Sequence, residues 1–291
     1  MRKICAGVIT FNPDIELLEN NLAILRKQVE RVYIIDNGSS NIEQIKLIDK
    51  EISVVGFSEN VGIAKALNRL MMEADKEGFE WVLSMDQDTL IQPNVIESYS
   101  RYIDDPTIGM LTLRVIRKSS SGEILFETST ENEYDYVERC PTSGMLLETA
   151  AWKEAGGYDD WLFIDYVDYD MCQKVLLLNK KIVRVNDTYM IQQLGDGAEL
   201  SIVGRMIESL SSDKMKKKTI VFNHNPVRNY YFVRNSIYFM RKYKKHIKVS
   251  SELKKVTKWE VKKLIFEKRF FAQFGAMLRG ISAGMRAKIT R

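Results

Sequence analysis

The sequence predicts an α/β fold with a mainly parallel central sheet and a basic helical extension at its C-terminal end. Short apolar, β-branched runs recur through the first hundred residues, each followed by a stretch with apolar positions three and four apart. Each run closes in a polar, turn-rich loop, the layout of strand, crossover helix and strand. With 291 residues the chain can bury a large core without covalent staples.

Ile4 to Thr10 reads as the first buried strand. Asn12-Pro13-Asp14 turns the chain, and Ile15, Leu18, Leu22, Leu25 and Val29 mark one face of a helix. Val32 to Ile35 forms the second strand and closes in Asp36-Asn37-Gly38-Ser39-Ser40; Ile52 to Phe57 forms the third. Asn60-Val61-Gly62 then opens a helix from Ile63 to Ala74, with Leu67 and Leu70 inward. The fourth strand, Trp81 to Met85, runs directly into Asp86-Gln87-Asp88. Further on, Pro93 opens a helix through Tyr102, Ile108 to Ile116 and Glu123 to Thr128 read as a strand and its return, and Thr142 to Leu147 as loop into strand. A short helix closes at Gly156-Gly157, and another spans Asp165 to Leu178. Ile182 to Val185 and Tyr189 to Leu194 are two more strands; Gly195 to Thr219 reads as a mobile loop holding one short helix, and from Pro226 the chain is helical. Residues 1–219 are expected to form a catalytic domain, with halves of about 1–105 and 106–219, and residues 220–291 the basic helical region.

Charge divides the chain more sharply than its net +4 shows. Residues 214–291 hold 22 Lys and Arg against 3 acids, whereas residues 1–213 hold 21 against 36. A basic end of this kind faces an anion, or docks on an acidic surface of its own chain or of a second copy. No apolar run reaches the roughly 18 residues of a spanning helix, and the N-terminus lacks a signal-peptide pattern. The three cysteines have no metal-ligand or disulfide-framework spacing, which fits a reducing cytoplasm. P-loop, dinucleotide-fingerprint, HExxH and GxSxG motifs are absent, as are zinc-finger and paired aromatic RNA motifs, so no specific nucleic-acid partner is expected. Residues 226–289 interleave apolar and basic side chains and are expected to meet an anionic membrane surface without crossing it, with Phe239, Tyr243, Trp259 and Phe271 among the anchors.

Ligands of open α/β sheets sit at the carboxyl ends of the strands, so the loops there carry the candidate chemistry. Asp86 and Asp88, one residue apart, can both reach a hard cation such as Mg²⁺ or Mn²⁺; as isolated spelling, acid-x-acid is equally an exposed turn. Thr10, Phe11, Asn12, Asp36 and Asn37 can floor a nucleotide pocket, in which Asp36 would accept a pyrimidine imide N–H; standing alone, Asp36 is a turn former. Asn60, Gly62 and Asn68 suit close backbone approach and polar fixation, or a simple strand-to-helix cap. Asp165, Asp168 and Asp170 are candidates for a general base, the first two near one face of a helix, although acids at a helix start also act as caps. Arg228, Arg234, Tyr231 and His224 are candidate phosphate or acceptor contacts, the guanidinium groups because they bind phosphate bidentately.

In this order, Thr10-Phe11-Asn12, Asp36-Asn37, Asn60-Val61-Gly62-Ile63-Ala64, Asn68, Asp86-Gln87-Asp88, Thr142-Ser143-Gly144, Phe163 to Asp170 and His224 to Asn235 resemble the family 2 glycosyltransferases, with bacterial rhamnosyltransferases the nearest likeness. The resemblance runs over roughly residues 3–240. It implies a GT-A fold and a metal-dependent, inverting transfer from a nucleotide sugar, with dTDP-L-rhamnose as donor and a lipid-linked oligosaccharide as acceptor. Asp36 would contact the base, Asp86 and Gln87 the donor, Asp88 the metal, and Asp168 would be the catalytic base, with Asp165 its competitor. Thr142, Ser143, Gly144 and Asp170 would line the acceptor side. Many relatives carry a metal-assisting His before a Gly-Asp pair; here Gln193 stands there, and its carbonyl or a water would fill the position.

Overall fold

The computed structural model describes residues 2–119, 122–128, 131–193, 199–209 and 225–289. Two compact units emerge: residues 1–163 with 167–194, and residues 164–166 with 195–291. The boundary expected near residue 219 lies outside the described residues.

The first unit is built on one mixed sheet whose strands, taken from one edge to the other, begin at residues 53, 31, 4, 81, 145, 108, 181 and 89. Its parallel half comprises β1 (Ile4–Thr10), β2 (Arg31–Asp36), β3 (Ser53–Gly56) and β4 (Trp81–Asp86). Helices α1 (Ile15–Leu25), α2 (Ile42–Ile48) and α3 (Ile63–Lys76) make the crossovers, and each buries the stripe its apolar spacing marks: Leu18, Leu22 and Leu25 on α1, Leu67, Leu70 and Met71 on α3. Asp14 caps α1 by accepting the Leu17 N–H at 3.0 Å. The other half holds β5 (Thr89–Ile91), β6 (Ile108–Lys118), β7 (Ile124–Glu127), β8 (Tyr134–Tyr136), β9 (Met145–Glu148) and β10 (Lys181–Gln193), with helices α4 (Val95–Ser100), α5 (Thr149–Glu154) and α6 (Val167–Leu177). The two strands expected over 182–194 are one strand, bent by a register shift between Val185 and Tyr189. Behind α6, Cys172 and Cys140 meet at 3.7 Å between sulfurs as free thiols. Their contact, together with burial, holds the Cys140 thiol above its ordinary pKa.

Four helices make the second unit: α7 (Ile202–Ser209), α8 (Pro226–Lys242), α9 (Val249–Phe266) and α10 (Phe270–Arg286). Asn225 caps α8, with proline in the first turn where no N–H is needed. The charged side chains of α9 divide between two faces, with Lys254, Lys255 and Lys258 exposed. Glu252, Glu260 and Lys263 are buried, and so is Glu267 just beyond the helix. Glu260 and Lys263 pair at 2.9 Å, and Asn229 completes the network by donating to Glu260 at 3.1 Å and accepting from Lys263 at 2.5 Å. Buried charge is tolerated when paired and hydrogen-bonded in this way. Phe239 and Tyr243, expected as membrane anchors, are likewise buried.

Candidate active site

Strand register sets the frame. Thr10 pairs with Asp36, and Ile9 pairs with Asp86, so the ends of β2 and β4 flank the end of β1 at one strand spacing, about 5 Å, on either side. β9 runs antiparallel to β4 with Met145 opposite Ser84, so the Thr142-Ser143-Gly144 turn that precedes β9 arrives beside Asp86.

Hydrogen bonds tie these ends together. The Asp86 N–H donates to the buried Ser143 Oγ at 3.1 Å, and its carbonyl accepts from Asn21 Nδ2 at 3.2 Å. Ser84 Oγ donates to the Thr142 carbonyl at 2.7 Å, and Tyr99 Oη to that of Gly144 at 2.6 Å. Gln87 grips the backbone of Phe11 at two points, its Oε1 accepting the N–H at 2.8 Å and its Nε2 donating to the carbonyl at 3.3 Å. Asn12, with φ +47°, accepts from both the N–H and the hydroxyl of Ser40 at 2.8 Å. The Asp86-Gln87-Asp88 turn is therefore held from its neighbours on both sides. Phe11 presents an exposed ring beside it, and Asp88 projects its carboxylate outward, with no hydrogen bond or ion pair to any described residue.

Asp36 does not have the open carboxylate expected of a base contact. It is 1% exposed, and its Oδ1 accepts from Thr10 Oγ1 at 2.9 Å and Ser39 Oγ at 2.5 Å. Its Oδ2 accepts the N–H groups of Gly38 and Ser39 at 3.2 and 2.9 Å. Four donors occupy the roughly four lone-pair positions of a carboxylate, so Asp36 shapes the turn. Asn37, also buried, accepts the Val61 N–H at 2.9 Å and donates to Asn60 Oδ1 at 3.0 Å, which joins the β2 end to the start of α3. Gly62 there has φ +88°, and a Cβ on it would lie 2.7 Å from Phe163, whose carbonyl accepts the Ile63 N–H at 2.7 Å. Asn68 is likewise engaged as a structural clamp. Its amide bonds the Tyr158 N–H and carbonyl, Trp152 Nε1 and Asp160, all within 3.0 Å.

The candidate bases separate. α6 begins at Val167, because Asp165 and Tyr166 adopt φ +62° and +66°; residues 165 and 168 therefore do not share a helix face. Asp168 lies half-buried in the first turn, its Oδ1 accepting the Tyr169 N–H at 2.9 Å. Asp170 is buried beside Lys174 at 3.6 Å and is too enclosed to meet an acceptor. In the second unit, Asp165 meets the exposed Arg228 at 3.3 Å, and Asn235 Nδ2 donates to the carbonyls of Ile164 and Asp165 at 2.6 and 3.0 Å. Tyr166 Oη donates to the buried Glu252 at 3.1 Å, and its ring meets Phe232 and Phe239. Two successive left-handed non-glycine residues cost on the order of 1–3 kcal/mol each and persist only where surroundings over-determine them, as these contacts do. Arg234 stacks over Tyr231 at 4.6 Å, and burial lowers its pKa. His224 and the side chain of Gln193 lie outside the described residues.

Asn21 and Asn235 are both fully buried; Asn235 stands in the segment that carries the resemblance but without an expected role, and Asn21 was passed over. Asn21 interrupts the apolar stripe of α1 between Leu18 and Leu22, and a polar residue at a core position was the available signal.

Residues 5–151 match the family described as Glycosyl transferase family 2. The chain belongs to that family. Over 253 residues, 82% of this chain and 80% of the relative, this glycosyltransferase is 26% identical to the dTDP-rhamnosyl transferase RfbF of Shigella flexneri. It is 30% identical over 154 residues to a hyaluronan synthase of Streptococcus pyogenes, which is 48% of this chain and 36% of that relative. Among solved structures it resembles S. aureus TarS 1–349 in complex with UDP-GlcNAc (TM-score 0.59, 15% identity, 98% of this chain and 81% of that one). It also resembles GalNAc-T7 with UDP, GalNAc and Mn²⁺ (TM-score 0.54, 15% identity, 88% of this chain), of which it spans about half the length, 54%. The family 2 glycosyltransferase thus has the GT-A fold.

Among the described residues no three His, Cys, Asp or Glu side chains converge into a metal centre. The carboxylates of Asp86 and Asp88, on a pinned turn with Asp88 outward, are nonetheless a hard-oxygen donor set that suits Mg²⁺ or Mn²⁺, ions that complete their shells with phosphate and water.

Proposed function

We propose that this enzyme is an inverting rhamnosyltransferase that moves L-rhamnose from dTDP-L-rhamnose to a lipid-linked surface-polysaccharide acceptor. The pinned strand end at Asp86-Gln87-Asp88 carries the transferase chemistry, and the likeness to RfbF over most of both chains supports the sugar. Asp88 with Asp86 would hold Mg²⁺ or Mn²⁺, which supplies positive charge to the leaving diphosphate. Asp168 accepts the proton of the acceptor hydroxyl as its oxygen bonds the anomeric carbon from the face opposite the nucleotide, so the bond to the diphosphate breaks and the configuration inverts in one displacement. Asp168 is preferred to Asp165 because it matches the second acid of the family's usual Glu-Asp pair, with Val167 in place of the first. Residues up to about 105 serve the donor and those from about 106 to 219 the acceptor. A transferase of another dTDP- or UDP-sugar is the second choice, favoured by Asp36, whose saturated carboxylate leaves no contact to select the base.

A donor panel with mass detection of transferred or hydrolysed sugar tests the assignment. Asp88→Asn should abolish the Mn²⁺ dependence of donor binding, while Asp168→Asn should keep it and lose about 10²–10⁴-fold in turnover. Release of another sugar would overturn the donor. Parent-like behaviour of both variants would overturn the residue roles.

A further inference from the structure

The helices of the second unit sort their side chains against the usual amphipathic order. On α10, Gln273, Ala276, Gly280 and Gly284 are the buried face, spaced three, four and four apart. They lie so close to α8 that a Cβ on Gly284 would come within 2.6 Å of the Arg234 carbonyl oxygen, and one on Gly280 within 2.8 Å of that of Tyr230. Small residues make the packing, and the large apolar ones are left outside. Phe274, Leu278, Ile281 and Met285, spaced four, three and four, form an exposed stripe, and Phe271 before it is 87% exposed. α7 repeats the pattern: Gly204 is buried against Phe266, while Ile202, Val203 and Met206 are exposed. This helix is fastened where α9 ends, through Ser201 to the carbonyls of Ile265 and Phe266 at 2.6 and 2.8 Å, four residues before Phe270.

Charge is sorted in the same sense. Residues 225–289 contain 17 Lys and Arg and only 3 acids. Those acids, Glu252, Glu260 and Glu267, are all buried, held by Tyr166, by Asn229 and Lys263, and by Gln273. No acid of this stretch reaches the surface, while Arg279 and Arg286 are exposed next to Leu278 and Met285. The apolar stripe of α10, bordered by Arg279 and Arg286 and with no surface acid in residues 225–289, matches an interface of hydrocarbon beneath anionic headgroups; on the α7 side the exposed Glu199 is paired with Lys268. A second copy of the same face would bring basic surface against basic surface, a like-charge juxtaposition that disfavours self-pairing.

We infer that the α7 and α10 stripes form an interfacial docking surface for an anionic lipid bilayer. Among the described residues no helix is long and apolar enough to cross a membrane, and the contact inferred lies along the surface. It depends on neither the donor nor the acceptor assigned above.

Cosedimentation of the full chain with phosphatidylcholine vesicles, with and without about 30% phosphatidylglycerol, tests it. The anionic vesicles should bind at least about tenfold more tightly at low salt. Phe271→Ser with Leu278→Ser should weaken that binding about tenfold or more without lowering the melting temperature. Arg279→Glu with Arg286→Glu should erase the preference for anionic lipid. Absence of vesicle binding, or equal binding to both compositions, would overturn the inference. So would a dimer in light scattering that Phe271→Ser dissociates, or oligonucleotide binding that tracks the arginine pair while vesicle binding ignores the apolar pair.

Discussion

The first unit buries its apolar residues within a sheet and raises carboxylates at the strand ends, whereas the second buries all three acids of residues 225–289 and leaves Phe271, Phe274 and Leu278 in solvent. The same rules of burial produce both outcomes. In the first unit large side chains fill the space between helix and sheet, so apolar spacing reports the buried face. In the second, α8 and α10 approach through Gly280 and Gly284, too closely for large side chains to lie between them, so the apolar spacing of α10 reports the outer face. Periodicity identifies a face; residue size decides which way it turns.

Three substitutions sharpen or break this contrast. The largest effect is expected at the buried charge of the second unit. Lys263→Met leaves Glu260 without its cation and should destabilise by about 3–5 kcal/mol in denaturant unfolding, while Lys263→Met with Glu260→Leu should recover most of the loss. If the single variant is as stable as the parent, the acids are not structurally paired and the contrast fails. Next is Asn68→Ala in the first unit, expected to cost about 1–3 kcal/mol because buried partners lose their bonds. Donor affinity should be unchanged, and a selective loss of donor binding at constant stability would return Asn68 to the donor site. Smallest is Phe274→Ser, for which thermal unfolding should report a change within about 0.5 kcal/mol, because this exposed ring contributes little to folding.

Much of the parallel half was legible in advance, since β1, β4 and α3 announce themselves by apolar runs and spacing and their polar ends fall where α/β ligands bind. The positions of Asp86 and Asp88 followed from that. The occupancy of a carboxylate did not: Asp36 is saturated by two hydroxyls and two backbone N–H groups that only the folded turn brings together. The break before α6 was equally hidden, because left-handed Asp165 and Tyr166 are imposed by Asn235 and Glu252, distant in sequence, while the local pattern continued the helix through them. The strands β5 and β8 were missed because three residues are too few to show a period.

The loan of residues 164–166 to the second unit bears on the order of events during synthesis. The carbonyls of Ile164 and Asp165 wait for an amide 71 and 70 positions later. At roughly 5–20 residues per second, that interval is on the order of 4–14 s of translation. From the end of β10 at Gln193 onward, the sheet has every residue it needs, yet the turn leading into Asp168 has no Asn235 to hold it. The turn ahead of Asp168, the proposed base, is therefore finished last. A nascent chain stalled short of α8 can assemble its strand ends before that turn is fixed.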